Sequence, residues 1–256
     1  PLLDLSNPTG VNQRAQRYAL DFLNELNQQH LRSRSNESDL HARISNYELA
    51  YRMQTSATEV VNIDNESLDI KNMYGINNPI TADFGRKCLI TRRLIEKGGR
   101  FIQLYSGGGH IESTWDGHND CITNHKTHAA ETDQPIAALM TDLKQRGLWD
   151  ETLLVWGGEF GRTPTSEGVN KPGRDHNWLG FTMWLAGGGV KGGQTIGETD
   201  ELGFEGVSDR YHVSDLHATI LHLMGFDYRH LTYFYSGLDQ KLTGTLDRQI
   251  ITKAIA

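Results

Sequence analysis

The stretch Leu153-Leu-Val-Trp-Gly-Gly-Glu-Phe-Gly-Arg162 carries the clearest indication of the fold class. It begins with four apolar residues and no polar alternation, which is typical of a strand buried on both faces of a sheet. Two further runs, Phe101–Tyr105 and Phe181–Ala186, also lead into glycine-rich turns. Helical patterns cover Thr132–Arg146 and Ser214–Met224. Strands that alternate with helices in this way predict an α/β fold with a mostly parallel sheet.

The first hundred residues have a different pattern, which is polar and helical. Apolar residues recur every three or four positions from Asn12 to His30, after Ser35, and from Thr81 to the glycines at 98 and 99. This spacing predicts three amphipathic helices. We therefore expect residues 1–99 to form a helical region packed on the α/β part of the chain, and residues 100–256 to form that α/β part, within one domain.

Composition and charge exclude two classes of partner. The 256 residues contain 25 Lys and Arg against 32 Asp and Glu, which gives a formal net charge of −7. Because no basic field is available to gather phosphate backbones, we expect no nucleic acid partner. The chain also lacks an apolar run long enough to cross a bilayer, so we expect no membrane span.

Polar residues cluster where the predicted strands end or begin. Asp116 and His118 follow the first apolar run, Glu159 and Arg162 follow the second, and His176 precedes the third. In parallel sheets, ligands collect beyond the carboxyl ends of strands. An aspartate and a histidine two residues apart project to one side of an extended loop, as two ligands of one cation would. The guanidinium of Arg162 offers a fork of donors that suits an anionic substrate.

Each of these polar groups also has a structural interpretation. Glu159 and Arg162 would form an ion pair at a turn, without any catalytic role. His125 and His128 lie near the start of a polar helix and are interpreted as ordinary surface histidines. Three further possible ligands lie on the predicted helix 214–224. We interpret His217 and His222 as core or rim histidines, and Asp215 as a residue that stabilises the first helical turn.

Several motifs resemble those of one large bacterial family. They comprise Leu153–Pro164, Gly173–His176, Trp184–Gly193, Thr199–Glu201 and Asp215–Gly225, together with Trp115-Asp116 and Asp142–Leu148. On these residues the chain resembles a family of sulfatase-like proteins of unknown function, which is grouped with the alkaline phosphatase and sulfatase superfamily. The resemblance implies a three-layer α/β/α sandwich, alkaline phosphatase-like, with two metal positions at the strand ends.

The resemblance also implies a ligand set for a divalent metal, with zinc, manganese and calcium as the alternatives. Glu159 and His176 match the superfamily's order of an acidic residue after an apolar strand and a later histidine. Asp116 and His118 resemble its earlier metal-binding pair. Phe160 departs from the pattern, because enzymes of the superfamily usually have a histidine beside that acid.

A second match to the superfamily is superficial. Cys88 and Arg92 have the spacing of the cysteine and arginine in the sulfatase signature, whose cysteine is oxidised to formylglycine. Ile90 replaces the proline of that signature, and the segment fits an amphipathic helix. We therefore interpret Cys88 as a helix residue rather than as the nucleophile.

The resemblance implies a metal-dependent hydrolase of sulfate or phosphate esters, exported to the periplasm or secreted, whose substrates are small-molecule or polysaccharide anionic esters. In the superfamily, the nucleophile follows an opening strand that we do not find in residues 1–78, so this chain is expected to be the carboxyl-terminal portion of a longer protein. The alternative is a non-catalytic exported protein that keeps the fold as a binding or structural module. A third possibility is a transferase similar to phosphoglycerate mutase.

Overall fold

The structure is a computed structural model that describes residues 7, 9–33, 42, 44–48, 50–51, 59–107, 114–166 and 172–256. The chain divides into two compact units. The first comprises residues 1–70 and 89–102, and the second comprises residues 71–88 and 103–256. Ser35, where we expected the second helix to begin, lies outside the described residues, although residues 44–48 are helical.

Five α-helices are described with defined bounds: α1 (Gln13–Ser33), α2 (Leu68–Met73), α3 (Ala82–Glu96), α4 (Cys121–Gln145) and α5 (Val213–Leu223). Short 3-10 helices follow at Trp149–Glu151 and Thr252–Ala254. No helix among the described residues combines the length and the apolar character needed to cross a membrane.

The described strands pair two by two, and every pair is antiparallel. The pairs are β1 (Leu153–Trp156) with β4 (Trp184–Gly187), β2 (Gly161–Arg162) with β3 (His176–Asn177), β5 (Glu198–Thr199) with β6 (Gly206–Ser208), and β7 (Tyr233–Tyr235) with β8 (Leu238–Gln240). The expected mostly parallel three-layer α/β/α sandwich, alkaline phosphatase-like, is therefore wrong. What remains is a general mixture of helices and short strands.

The error has a physical reason in the β1–β4 pair. Continuous apolar runs indicate strands but not their relative direction. The described residues between β1 and β4, 157–166 and 172–183, form loops and the short β2–β3 ribbon, with no crossover helix among them, and β4 pairs antiparallel to β1. Trp156 lies opposite Trp184, and their rings stack at 6.2 Å. The residues of this pair are exposed or half-buried rather than enclosed on both faces.

Two further elements differ from expectation. Phe101–Tyr105 is irregular and pairs with no strand among the described residues. The helix expected from Thr132 begins eleven residues earlier at Cys121, with Pro135 inside it. Its start is capped by Asp120, whose side chain accepts a hydrogen bond from the Thr123 backbone N–H.

A buried polar contact anchors α4 in the second unit. Tyr74 is completely buried, and its hydroxyl donates to Oδ2 of Asp142 at 3.0 Å. The other carboxylate oxygen of Asp142 accepts from Nε of Arg146 at 2.7 Å. These bonds satisfy a carboxylate whose burial would otherwise be costly. They fix the carboxyl-terminal end of α4.

Candidate metal centre

Three side chains that could ligate a metal converge in the second unit. Asp116, His118 and His176 each offer one ligand atom, and these atoms all lie within 4.8 Å of one another. Asp116 and His118 are half-buried, and His176 is exposed. We call these three residues the Asp-His-His group. Among the residues that the structure describes, it is the one group of three or more possible metal ligands that lie close together.

Asp116 and His118 lie on the loop that leads into α4. Oδ1 of Asp116 makes a short hydrogen bond with Nδ1 of His118. The backbone N–H of Asp116 bonds the Thr114 hydroxyl at 3.2 Å, and the carbonyl of Thr114 accepts from the Asn124 side chain at 2.9 Å. The first turn of α4 therefore fixes the loop that presents both candidate ligands.

The β2–β3 ribbon brings His176 and Arg162 together. The two residues are directly opposite each other in the antiparallel pair, and Gly161 is opposite Asn177. A Cβ on Gly161 would lie 2.3 Å from the carbonyl oxygen of Gly180, so only glycine allows the chain to approach this closely. The motif that follows β1 in the sequence thus serves to build the ribbon.

A second glycine joins the ribbon to the loop of Asp116. Arg174 donates its backbone N–H to the carbonyl oxygen of Gly117 at 2.7 Å. A Cβ on Gly173 would lie 1.9 Å from the carbonyl oxygen of His118, which leaves no space for any side chain. The backbone of Asp175 also bonds Thr163 and Thr165, at 2.9 and 3.1 Å. Backbone contacts therefore bring together two segments that are about 60 residues apart in the sequence.

Arg162 lies beside the Asp-His-His group. Its Nη1 is 3.3 Å from Oδ1 of Asp116 and 3.4 Å from Nδ1 of His118, and its side chain is 16% exposed. Partial burial raises the pKa of Asp116, but the hydrogen bond and charge of His118 and the charge of Arg162 outweigh it, so that the pKa lies below its usual value. Asp116 is therefore a carboxylate at neutral pH, as a metal ligand must be.

Aromatic contacts surround the imidazole of His176. The ring of Phe160 lies 4.2 Å from the ring of His176, and the ring of His118 lies 4.5 Å away on centroid distances. The guanidinium carbon of Arg162 is 5.7 Å from the Phe160 centroid. Phe160, which departs from the superfamily pattern, thus packs against His176 and Arg162. Sequence reasoning identified the residue but not this contact.

Glu159 is the predicted ligand that the structure leaves out. It is exposed in the bend between β1 and β2 and does not belong to the Asp-His-His group. The other four predicted site residues, Asp116, His118, His176 and Arg162, lie together. The sequence did not reveal the role of Gly117 and Gly173, whose backbones connect the loop of Asp116 to the segment of His176. Gly173 is nevertheless the first residue of the motif Gly173-Arg-Asp-His176.

Two further histidines near the site, His125 and His128, have other contacts. His125 bonds the carbonyl oxygen of Cys121 at 2.9 Å. His128 is buried, so its interpretation as a surface histidine is wrong, and it bonds Glu131 at 2.9 Å. The ring of Trp115 contacts both imidazoles. Neither histidine belongs to the Asp-His-His group.

Asp215 has the helix role that we expected from the sequence. Its carboxylate accepts a bond from the backbone of His212, which is the residue that caps α5, and another from the backbone of Gln249. Cys88, which shares a spacing with the sulfatase signature, is completely buried in α3. Burial raises the pKa of its thiol to about 12, which does not suit a nucleophile.

Comparison with known proteins gives the chain a family but no activity. Residues 1–255 match the family described as "Protein of unknown function (DUF1501)". No curated protein and no solved structure shows significant similarity to the chain. The match does not link the family to the sulfatase superfamily, so that part of the expected resemblance is not confirmed. The chain belongs to the DUF1501 family, whose function is unknown.

Proposed function

We propose that the chain carries the divalent-cation site of a hydrolase of sulfate or phosphate esters. The observation that carries this proposal is the convergence of Asp116, His118 and His176 within 4.8 Å, with Arg162 beside them. A cation site next to an arginine is an arrangement suited to an anionic ester, because both groups attract the charged oxygens.

The chemistry of the donor set fits a divalent metal. One carboxylate oxygen and two imidazole nitrogens are ligands that zinc accepts in catalytic sites, where three protein ligands leave a further position open. Manganese also tolerates mixed oxygen and nitrogen ligands, whereas calcium prefers oxygen alone. Of the three metals expected from the sequence, zinc and manganese therefore suit these residues better than calcium. A bound cation of this kind polarises the ester oxygen that contacts it.

The residues of the chain have distinct roles in this proposal. Asp116, His118 and His176 hold the cation, and Arg162 binds the anionic oxygens of a small-molecule or polysaccharide ester through its fork of N–H donors. Phe160 covers one side of His176 with an apolar ring. The proposal assigns no nucleophile to the described residues.

Turnover tests this function most simply. The full-length gene product would be assayed with a panel of aryl sulfates and aryl phosphates, in the presence of zinc or manganese, beside Arg162→Ala and Arg162→Lys. We expect hydrolysis of at least one ester class, with kcat/KM reduced about 100-fold or more in Arg162→Ala. The loss of kcat/KM should be smaller in Arg162→Lys, which keeps the positive charge but not the forked pair of N–H donors. Absence of turnover with every ester and both metals would contradict the proposal.

A non-catalytic exported module is the second candidate, and one observation favours it. The guanidinium of Arg162 lies within ion-pair distance of Asp116, so the carboxylate has a cationic partner that belongs to the chain itself. Under this alternative, the same assay gives no turnover, although calorimetry detects binding of an anionic ester or polysaccharide. Location in the periplasm or outside the cell belongs to both proposals, and cell fractionation tests it.

A further inference from the structure

The side chain of Asn177 is buried next to an exposed metal-ligand candidate. Asn177 follows His176 in β3 and is 3% exposed. Its Nδ2 donates to the carbonyl oxygens of Gly203 and Phe204 at 3.2 and 2.9 Å, and its Oδ1 accepts from the backbone of Leu179 at 3.0 Å. Successive residues of a strand point to opposite faces. Asn177 therefore faces residues 203 and 204, on the opposite side of β3 from His176.

The segment that receives Asn177 is a turn organised by one carboxylate. Oδ1 of Asp200 accepts backbone bonds from residues 202, 203 and 204, and Oδ2 accepts the backbone N–H of Glu205 at 2.7 Å. The backbone N–H of Asp200 bonds the carbonyl of Glu205 at 2.9 Å, which closes the turn. Gly206 then bonds the carbonyl of Leu179 at 3.0 Å. Because these bonds fix residues 200–206 as one unit, the turn can serve as a support for β3.

The β2–β3 ribbon needs such a support. Each of its strands has two residues, and an isolated two-stranded ribbon is marginal in water. The position of the His176 imidazole relative to Asp116 and His118 depends on where this ribbon lies. The side chain of Asn177 bonds the turn of residues 200–206, which we call the Asp200 turn. These bonds hold β3 on the face opposite to His176.

We propose that Asn177 and Asp200 are positioning residues for His176. Asn177 connects β3 to the turn, and Asp200 keeps the turn in the shape that receives it. Neither residue belongs to the Asp-His-His group. This inference rests on the proposed function only in assigning His176 as a ligand, because the position of the imidazole is measurable without any metal.

The test uses two readouts on the same protein. In cation-free protein, nuclear Overhauser contacts between the His176 ring and the rings of Phe160 and His118 report the position of the imidazole, since the centroid distances are 4.2 and 4.5 Å. Calorimetry with zinc alone then reports affinity. The variants are Asn177→Asp, which replaces the donor by an acceptor facing two carbonyls, and Asp200→Asn, which replaces one of the two acceptor oxygens of the turn by a donor. The second variant serves if the first does not fold.

A matched control separates positioning from general stability. Thr219→Val removes a completely buried hydroxyl in α5 that bonds the backbones of Asp215 and Ile251. We expect the control to lower the melting temperature and to keep the ring contacts and the zinc affinity. We expect Asn177→Asp and Asp200→Asn to lose the His176 ring contacts, with zinc affinity about 10-fold to 100-fold lower, the range typical of residues that orient metal ligands.

The outcomes distinguish this inference from the proposed function. If the folded variants keep the His176 ring contacts of the wild type, the positioning role is wrong, whatever the zinc result. If the wild-type protein binds zinc and the variants bind it equally well, the positioning role is also wrong. If the wild-type protein binds no zinc but the variants lose the ring contacts, the positioning role stands and the proposed cation site fails.

Discussion

Gly173 lies against the backbone carbonyl of His118, at a point where a Cβ would be 1.9 Å from the carbonyl oxygen. Gly173→Ala would therefore push apart the segments that carry His118 and His176. Because backbone cannot move aside as a flexible side chain can, we expect the free energy of unfolding to fall by about 1–3 kcal/mol or more. Denaturant titration followed by tryptophan fluorescence would measure this change.

The matched control for this variant is Gly192→Ala. A Cβ at Gly192 would meet no atom within 4 Å, so we expect a change within about 0.5 kcal/mol. Equal stability of the two variants would contradict the close approach of Gly173 to His118.

Glu66 gives the first unit a stability that depends on pH. Its carboxylate is 10% exposed, accepts a short bond from Arg93, and lies 2.8 Å from Nη2 of Arg92, whose side chain is 3% exposed. Burial raises the pKa of Glu66, but the bonds from Arg93 and Arg92 outweigh it, so the folded pKa lies below the ordinary 4.5. The two ion pairs of Glu66, with Arg92 and Arg93, therefore contribute stability above about pH 4.5, and this contribution is lost as the pH falls through the folded pKa of Glu66.

Glu66→Gln is expected to lower the free energy of unfolding by about 3 kcal/mol at pH 7, because a buried arginine charge loses one of its partners. The difference from the wild type should shrink between pH 5 and pH 3, as wild-type Glu66 becomes protonated. Urea titrations across this range test the prediction. In the control Glu59→Gln, the ion pair with Lys97 is exposed, and the expected change is below about 1 kcal/mol. A difference for Glu66→Gln that stays constant down to pH 3 would contradict the account.

The two cysteines should differ in reactivity. Cys88 is completely buried, and its pKa of about 12 keeps the thiol protonated at pH 8, whereas Cys121 is partly exposed. The thiolate is the reactive form. We expect a thiol-specific disulfide reagent to modify one cysteine in the native protein and both in denaturant. The variant Cys121→Ser should show no native reaction, and a fast native reaction in this variant would contradict the burial of Cys88.

Several elements could be predicted from sequence because local patterns determine them. The apolar spacing from Asn12 to His30 corresponds to α1, and the apolar run Leu153–Trp156 corresponds to β1. Strand direction could not be predicted, because the apolar character of β1 and β4 is the same in a parallel and in an antiparallel pair. The start of α4 was also missed, since its first turns are polar and Pro135 resembles a helix start.

The residue types of the candidate site could be predicted from the sequence, but the contacts that bring these residues together could not. Asp116, His118, His176 and Arg162 were recognisable as residues of the type that binds metals and anions. Glu159 has the same chemistry, but the bend after β1 leaves it exposed and outside the Asp-His-His group. What brings the other residues together is the contact of Gly173 with the backbone of residues 117 and 118, and long-range contacts of this kind leave no periodic signal in a single sequence.

The central claim is that Asp116, His118 and His176 bind one divalent cation, and zinc calorimetry with elemental analysis tests it most directly. We expect one zinc per chain in the wild type. Asp116→Asn and His176→Ala should lose more affinity than the roughly 10-fold to 100-fold typical of residues that only orient ligands. Glu159→Ala should lose less zinc affinity than these two variants. Asp133 is an exposed carboxylate in α4, so Asp133→Asn should bind zinc as the wild type does. No zinc binding by the wild type, or equal binding by all four variants, would contradict the claim.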